Sequence, residues 1–168
     1  MKQSGHAMKK NTVIFDLDGT LANIEKRRLI AGSPTGNKPE KSKMDWDVFF
    51  DPKNIALDQP NTPVIKMAQM LDSQGFNIVI FSGRSNRTRT ATKKWLKKYD
   101  VPFNDFDLHM RPTDNDWHFM KDDKLKQIWL DSVVNKDDVF AVFDDRQQVV
   151  DMWRDNGLTV FQVADGDF

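Results

Sequence analysis

The sequence predicts an α/β domain, a Rossmann-like three-layer sandwich with a central parallel sheet and a small cap insert, and three features carry that expectation. Short apolar runs alternate with amphipathic segments of about ten to fifteen residues, as βαβ units require. Asn, Thr, Pro and Gly mark the segment boundaries. The strongest apolar runs each stop at a polar cluster: Asp16-Leu17-Asp18, Ser82-Gly83-Arg84 and Asp144-Asp145-Arg146. Right-handed crossovers make such strands parallel, and ligands of parallel sheets bind at the strands' carboxyl ends.

The first element is "TVIF", Thr12 to Phe15, a buried strand by its unbroken apolar character. An insert at about 23–58, rich in Lys, Pro and Gly, follows it and reads as the small cap. "NTPVIKMAQMLDSQG" is a helix, with Asn61 or Thr62 as N-cap, Pro63 in the first turn, Val64, Met67, Ala68 and Leu71 at helical spacing, and Gly75 as the stop. "FNIVIF", Phe76 to Phe81, is a second strand that ends before "SGR". Helices are expected over Asn86–Tyr99, Lys124–Val134 and Arg146–Gly157, the last again closed by Gly. "DVFAVF", Asp138 to Phe143, is a third buried strand. "DLHM" (Asp107 to Met110) and "LTVFQV" (Leu158 to Val163) read as edge strands.

Composition narrows the function classes. The 168 residues suit one domain with a full core, and 39% hydrophobic with 30% charged residues is an ordinary globular balance. No stretch approaches the roughly 18 apolar residues of a membrane span, so no membrane role is expected. The sequence has no cysteine, which excludes disulfides, thiolate nucleophiles and Cys-zinc sites, and His6, His109 and His118 lack metal-ligand spacing. "MKQSGHAMKK" has no apolar h-region, so residues 1–10 read as an unstructured leader or expression remnant and the location as cytoplasmic. Net charge is zero, which gives no global attraction to nucleic acid.

Asp16 and Asp18 raise the central chemical question, because neighbouring carboxylates repel and their burial is costly without a cation or hydrogen bonds. An isolated DxD is more often a turn or cap, and "DD" near a helix start is often only dipole compensation. Here the topology gathers Asp16, Asp18, Asp144 and Asp145 at one sheet edge. Four carboxylates there form a hard-oxygen site suited to Mg²⁺.

The order "DLDGT", "FSGR", a lysine and "FDDR" resembles the haloacid dehalogenase superfamily of phosphatases. The resemblance implies that Asp16 attacks phosphorus to form an aspartyl-phosphate, while Asp18 protonates the leaving oxygen and later activates water. It implies Mg²⁺ held by the Asp16 carboxylate, the Asp18 main-chain carbonyl and Asp144, with Asp145 a ligand through water or an acid behind it. Thr20, Ser82, Gly83 and Lys126 would hold the phosphate. Lys121 and Lys124 lie close to Lys126 and remain alternatives.

A narrower resemblance, to the 3'-phosphatase domain of phage polynucleotide kinase/phosphatase, covers nearly the whole chain. It rests on "DLDGTLA" with Arg27 beyond it, "SGR" followed by "TKKWL", "MRP", "KDDKLK", "DDRQQVVDMWRDNGL" and "QVADGDF". It implies that Arg27, Arg84, Arg111 and Asp122 belong to the active site, that 3' ends of nucleic acid are the substrate, and that the setting is a phage-infected host cell. Two departures stand out. "NDWHFM" lengthens the spacing from Arg111 to Asp122, and no GxxxxGK[ST] occurs, so 5'-phosphorylation is not expected.

Substrate size is read from the short insert and from "SGRSNRTRTATKKWLKK", which carries seven basic side chains and no acid. A basic face could track a nucleic-acid backbone; equally it could be a solvated helix face with Ala91, Trp95 and Tyr99 turned inward. Trp46, Phe49, Phe50, Trp117 and Phe119 could stack on a base or pack as a lid. The favoured expectation is an Mg²⁺-dependent polynucleotide 3'-phosphatase. A nucleotidase, or a catalytically silent nucleic-acid-binding module, is the alternative, and no protein partner can be inferred.

Overall fold

A computed structural model describes residues 10–32 and 44–166, so the expected leader lies almost wholly outside the described residues. The chain runs β1 (Thr12–Phe15), β2 (Ala22–Asn23), α1 (Glu25–Gly32), α2 (Trp46–Phe49), α3 (Pro52–Ile55), β3 (Gln59–Pro60), α4 (Thr62–Ser73) and β4 (Asn77–Ser85). It continues through α5 (Arg89–Lys98), β5 (Leu108–Arg111), α6 (Asn115–His118), α7 (Asp122–Ser132), β6 (Val139–Asp144), α8 (Gln147–Asp155) and β7 (Val160–Gln162).

Five strands form one sheet in the order β5-β4-β1-β6-β7, and every pairing in it is parallel. The expected edge strands are the edges. Alternation along the strands divides the core into two layers. Val13, Phe15, Ile78, Ile80 and Phe143 face α4 and α5 through Val64, Ile65, Ala68, Trp95 and Leu96. On the opposite face, Ile14, Val79, Phe81 and Val142 meet Leu125, Trp129 and Leu130 of α7 and Val149, Val150 and Trp153 of α8. β1 lies between β4 and β6, so the chain reverses its direction of winding at the strand that leads into Asp16. That is where an open parallel sheet leaves a crevice.

The described part of the insert leaves the sheet edge through the antiparallel ribbon β2–β3 and carries α1, α2 and α3. Ala31, Met44 and Phe49 join the α4/α5 core layer, so the described part of the insert packs down onto the domain.

Three local expectations are corrected. The strand expected to stop at Phe81 continues to Ser85, because its register against β5 jumps from Ser82↔Met110 to Ser85↔Arg111. Two extra residues, Gly83 and Arg84, are accommodated in that irregularity, which re-aims the Arg84 side chain. The helix expected from Asn86 begins as a 3₁₀ turn over Asn86–Thr88, with the Ser85 hydroxyl accepting the Arg87 N–H, and becomes α-helical at Arg89. Asn61 does not cap α4 with its side chain; its amide donates instead to the Thr20 carbonyl at 2.8 Å.

Candidate active site

Asp16 directly follows β1, with its backbone N–H bonded to the Phe143 carbonyl, 2.9 Å, which aligns it with the end of β6. Its Oδ1 accepts from Lys126 Nζ at 2.8 Å and its Oδ2 from Thr20 Oγ1 at 3.1 Å. Thr20 also donates toward Asp145 Oδ1 at 3.3 Å. Lys126 reaches on to Asp144 Oδ2 at 3.1 Å, and the Trp153 indole N–H donates to that same oxygen at 3.0 Å. The other Asp144 oxygen accepts the Asp145 backbone N–H at 2.8 Å. Among the candidate lysines, Lys126 is buried at the carboxylates while Lys121 and Lys124 are exposed.

Asp16, Asp144 and Asp145 are all buried, and each offers an oxygen within 4.8 Å of the other two. One ammonium against three carboxylates leaves negative charge in a poorly solvated place. Burial, then the neighbouring Asp144, push the Asp16 pKa well above its ordinary value although Lys126 opposes them. The same two causes raise Asp145 to about 6. Burial would lower Lys126, but Asp144 and Asp16 outweigh it and hold the ammonium charged. An all-oxygen set with uncompensated negative charge fits Mg²⁺. Gly19 keeps the cluster compact: at φ +87°, a Cβ there would lie 2.1 Å from the Asp145 carboxylate.

Asp18 is not one of the three grouped acids; its carboxylate is paired with arginines instead. Its Oδ1 accepts from Arg27 Nη2 at 2.7 Å and from Arg84 Nε and Nη2 at 3.0 and 2.6 Å. Burial raises its pKa, but the two guanidiniums overcome that and lower it to about 2. Behind them lies Asp58, fully buried, which takes Arg27 Nε at 3.0 Å, Arg27 Nη2 at 2.8 Å and Arg84 Nη2 at 3.0 Å. Burial pushes Asp58 up to about 6 against the opposing pull of Arg27. The Arg27 guanidinium also lies 4.3 Å over the Phe49 ring, and Arg84 Nη1 bonds Thr92 Oγ1 at 3.0 Å. Arg27 and Arg84 are thus turned to Asp18 and Asp58.

Arg111 is committed as well. Its Nε donates to the Gly83 carbonyl at 3.0 Å, its Nη1 to the carbonyls of Trp117 and Met120, and its Nη2 to Asp122. Arg146, which the sequence reading left out of the site, holds the second Asp122 oxygen. A Cβ at Gly83 would sit 2.7 Å from the Asp122 carboxylate, which would have to shift to admit it. Ser82 is buried on the irregular end of β4, where its hydroxyl accepts the Arg84 N–H at 3.2 Å.

The sheet edge therefore brings Asp16, Thr20, Lys126, Asp144 and Asp145 together, joins Asp18 to Arg27 and Arg84, and sets Arg111 and Asp122 against Gly83. Asp58 and Trp153 were missed. Asp58 has no motif, and Trp153 reads simply as a core position of an amphipathic helix.

The basic run is less free than its composition implies. Arg84 is buried, Arg89 bonds the Leu108 and Asp105 carbonyls, and Lys93 pairs with Asp105. Arg87, Lys94, Lys97 and Lys98 remain exposed, while Thr92, Trp95 and Leu96 form the buried face that Ala91, Trp95 and Tyr99 were expected to supply. Of the aromatics, Phe49 is core, whereas Trp46 and Phe119 are exposed. Trp117 lies in α6. Among the described residues no helix is long and apolar enough to cross a membrane.

Residues 42–168 match the family of the polynucleotide kinase PNKP phosphatase domain. A protein of Autographa californica nuclear polyhedrosis virus, described as a candidate bifunctional polynucleotide kinase/RNA ligase, is 34% identical over 155 residues, covering 90% of this chain and 19% of that protein. A chain in the structure of a Pnkp1/Rnl/Hen1 complex is 32% identical with a TM-score of 0.69, over 99% of this chain and 49% of that one. The chain therefore spans about a fifth of the viral relative and about half of the solved one. The class C acid phosphatase of Bacillus anthracis, at 18% identity and TM-score 0.62 over 94% of this chain and 70% of its own, shares the fold.

Proposed function

The chain belongs to the polynucleotide kinase PNKP phosphatase domain family, with the fold of the haloacid dehalogenase-like proteins, and on that premise we propose that it removes 3'-phosphate from polynucleotide ends. The observation that supports this most is the carboxylate of Asp16, held between Lys126 and Thr20 at the sheet's switch point. A carboxylate fixed through both oxygens is oriented for in-line attack, and phosphoryl transfer depends chiefly on such positioning and on charge neutralisation.

In the first step the Asp16 carboxylate attacks phosphorus, the ester P–O bond breaks, and Asp18 gives its proton to the departing sugar oxygen. In the second, water attacks the aspartyl-phosphate, Asp18 takes the proton, and Asp16 is regenerated with release of inorganic phosphate. Asp18 paired to Arg27 and Arg84 is a carboxylate, the form that accepts the proton from water. Its role as donor requires it to loosen from those arginines when substrate enters. Thr20, Ser82 and Lys126 supply donors for the phosphoryl oxygens, with Gly83 keeping that wall low. Asp16, Asp144, Asp145 and the Asp18 main-chain carbonyl would hold Mg²⁺, which supplies charge neutralisation at the transferring phosphoryl group.

The exposed Arg87, Lys94, Lys97 and Lys98 support a polymeric substrate. The test compares kcat/KM on 3'-phosphorylated oligonucleotides of increasing length with 3'- and 5'-mononucleotides at two ionic strengths. The proposal predicts preference for the 3'-phosphorylated polymer, with a salt dependence absent for mononucleotides. Equal efficiency on 5'-mononucleotides, with no gain from length, would make the protein a nucleotidase instead.

A further inference from the structure

Among the described residues two phenylalanines are almost wholly exposed, Phe106 at 91% and Phe119 at 89%, and they bracket β5. Phe106 belongs to the 3₁₀ turn Asp105–Asp107 at the strand's amino end. Phe119 follows the carboxyl end, on the edge that carries Asp16, Ser82 and Asp144. It also lies within "NDWHFM", the stretch that separates Arg111 from Asp122.

The turn that presents Phe119 is fastened to the candidate site. A single guanidinium, that of Arg111, bonds the Gly83 carbonyl at 3.0 Å, the Trp117 carbonyl at 2.8 Å and the Met120 carbonyl at 2.6 Å. The carbonyls on either side of Phe119 in the chain are thereby held one side chain away from the residue next to Ser82. Trp117 and Met120 pack against the apolar layer beneath α7 and α8. The ends of the turn are anchored, yet the ring at its tip meets the His118 ring edge-on at 4.8 Å and is otherwise open to solvent. The ring is thus presented by a turn fastened at both sides to the residue next to Ser82, not by a loose surface segment.

We propose that Phe119 is a stacking platform for the nucleobase of the terminal nucleotide, next to the subsite that takes its 3'-phosphate. Every base has a π-face, so stacking on one ring holds any terminal nucleotide without reading its sequence, as an end-processing enzyme needs. The assignment rests on the 3'-phosphatase reading above.

The experiment uses paired oligonucleotides, in ribo and deoxyribo forms, whose terminal 3'-phosphate sits on an ordinary nucleoside or on an abasic sugar. Wild type should favour the base-bearing end by about tenfold in kcat/KM, within the range for one base on an aromatic ring. Phe119→Ala should bring that ratio near one with turnover of the abasic end unchanged. Phe119→Trp should restore it, and Phe106→Ala should leave it as in wild type. A ratio that Phe119→Ala does not alter, a wild-type ratio near one, or an equal effect of Phe106→Ala would overturn the platform while leaving the phosphatase reading intact. Failure of wild type to release phosphate from any of these ends would overturn both, and the abasic substrate reports that case separately.

Discussion

Asp18 and Asp58 share the same two arginines. Arg27 Nη2 lies 2.7 Å from Asp18 and 2.8 Å from Asp58, and Arg84 Nη2 lies 2.6 and 3.0 Å from them. Two guanidiniums on Asp18 alone would leave a buried net positive charge, and Asp58 makes the group neutral. Removing one partner from a buried charged network typically costs about 3–5 kcal/mol, because the remaining charge has nowhere to go. Asp58→Ala should therefore lose stability of that order in urea unfolding, and phosphate release should fall with it. Asp58→Asn, which keeps an acceptor in place, should be milder. Wild-type stability and rate in Asp58→Ala would show the quartet to be dispensable.

Trp153 donates to a proposed metal ligand, Asp144, from the buried face of α8. Partners that orient ligating carboxylates typically matter by about 10- to 100-fold in metal affinity. Trp153→Phe keeps most of the ring and loses the N–H, so the Mg²⁺ concentration for half-maximal thermal stabilisation and for half-maximal rate should rise by about that factor. Trp129→Phe, in the same apolar layer, is the matched control for packing. An equal shift in both variants would assign the effect to packing.

Metal binding by the acidic cluster, as proposed, would depend on pH in a defined direction. Burial and Asp144 set Asp145 at about 6, and Asp16 is raised for the same reasons. A carboxyl raised on folding stabilises the protein below its unfolded pKa, and that contribution is lost as pH rises through the folded value. Over the same window the carboxylates become able to take a cation. The increase in Tm given by saturating Mg²⁺ should grow between about pH 5 and pH 7 and then level off. An increase that is flat or shrinks across that interval would contradict the cluster as the metal site.

The sheet and the edge that gathers its buried acids were legible because they depend on local pattern. Apolar runs ending at Asp16 and Asp144 place both acids at one edge once the crossovers are right-handed. The end of β4 was not legible, since Ser82, Gly83 and Arg84 carry no apolar signal and stay in the strand only through the irregular pairing with β5. Asp58 was invisible for another reason: its partners Arg27 and Arg84 stand 31 and 26 residues away, and nothing in "IALDQP" distinguishes a buried acid from a turn. The basic run misled in part, because charge on a sequence does not reveal that Arg84 points inward and Arg89 is bound to carbonyls.

The central claim is that Asp16 carries the phosphoryl group, and the most direct measurement follows that group. A 3'-[³²P]phosphorylated oligonucleotide is mixed with enzyme and Mg²⁺, quenched in acid within the first turnover, and resolved on a denaturing gel. Wild type should retain acid-stable label on the protein chain, and Asp16→Asn should retain none while releasing no inorganic phosphate. Phosphate release by Asp16→Asn at the wild-type rate, or wild-type turnover with label never passing through the protein, would contradict the account.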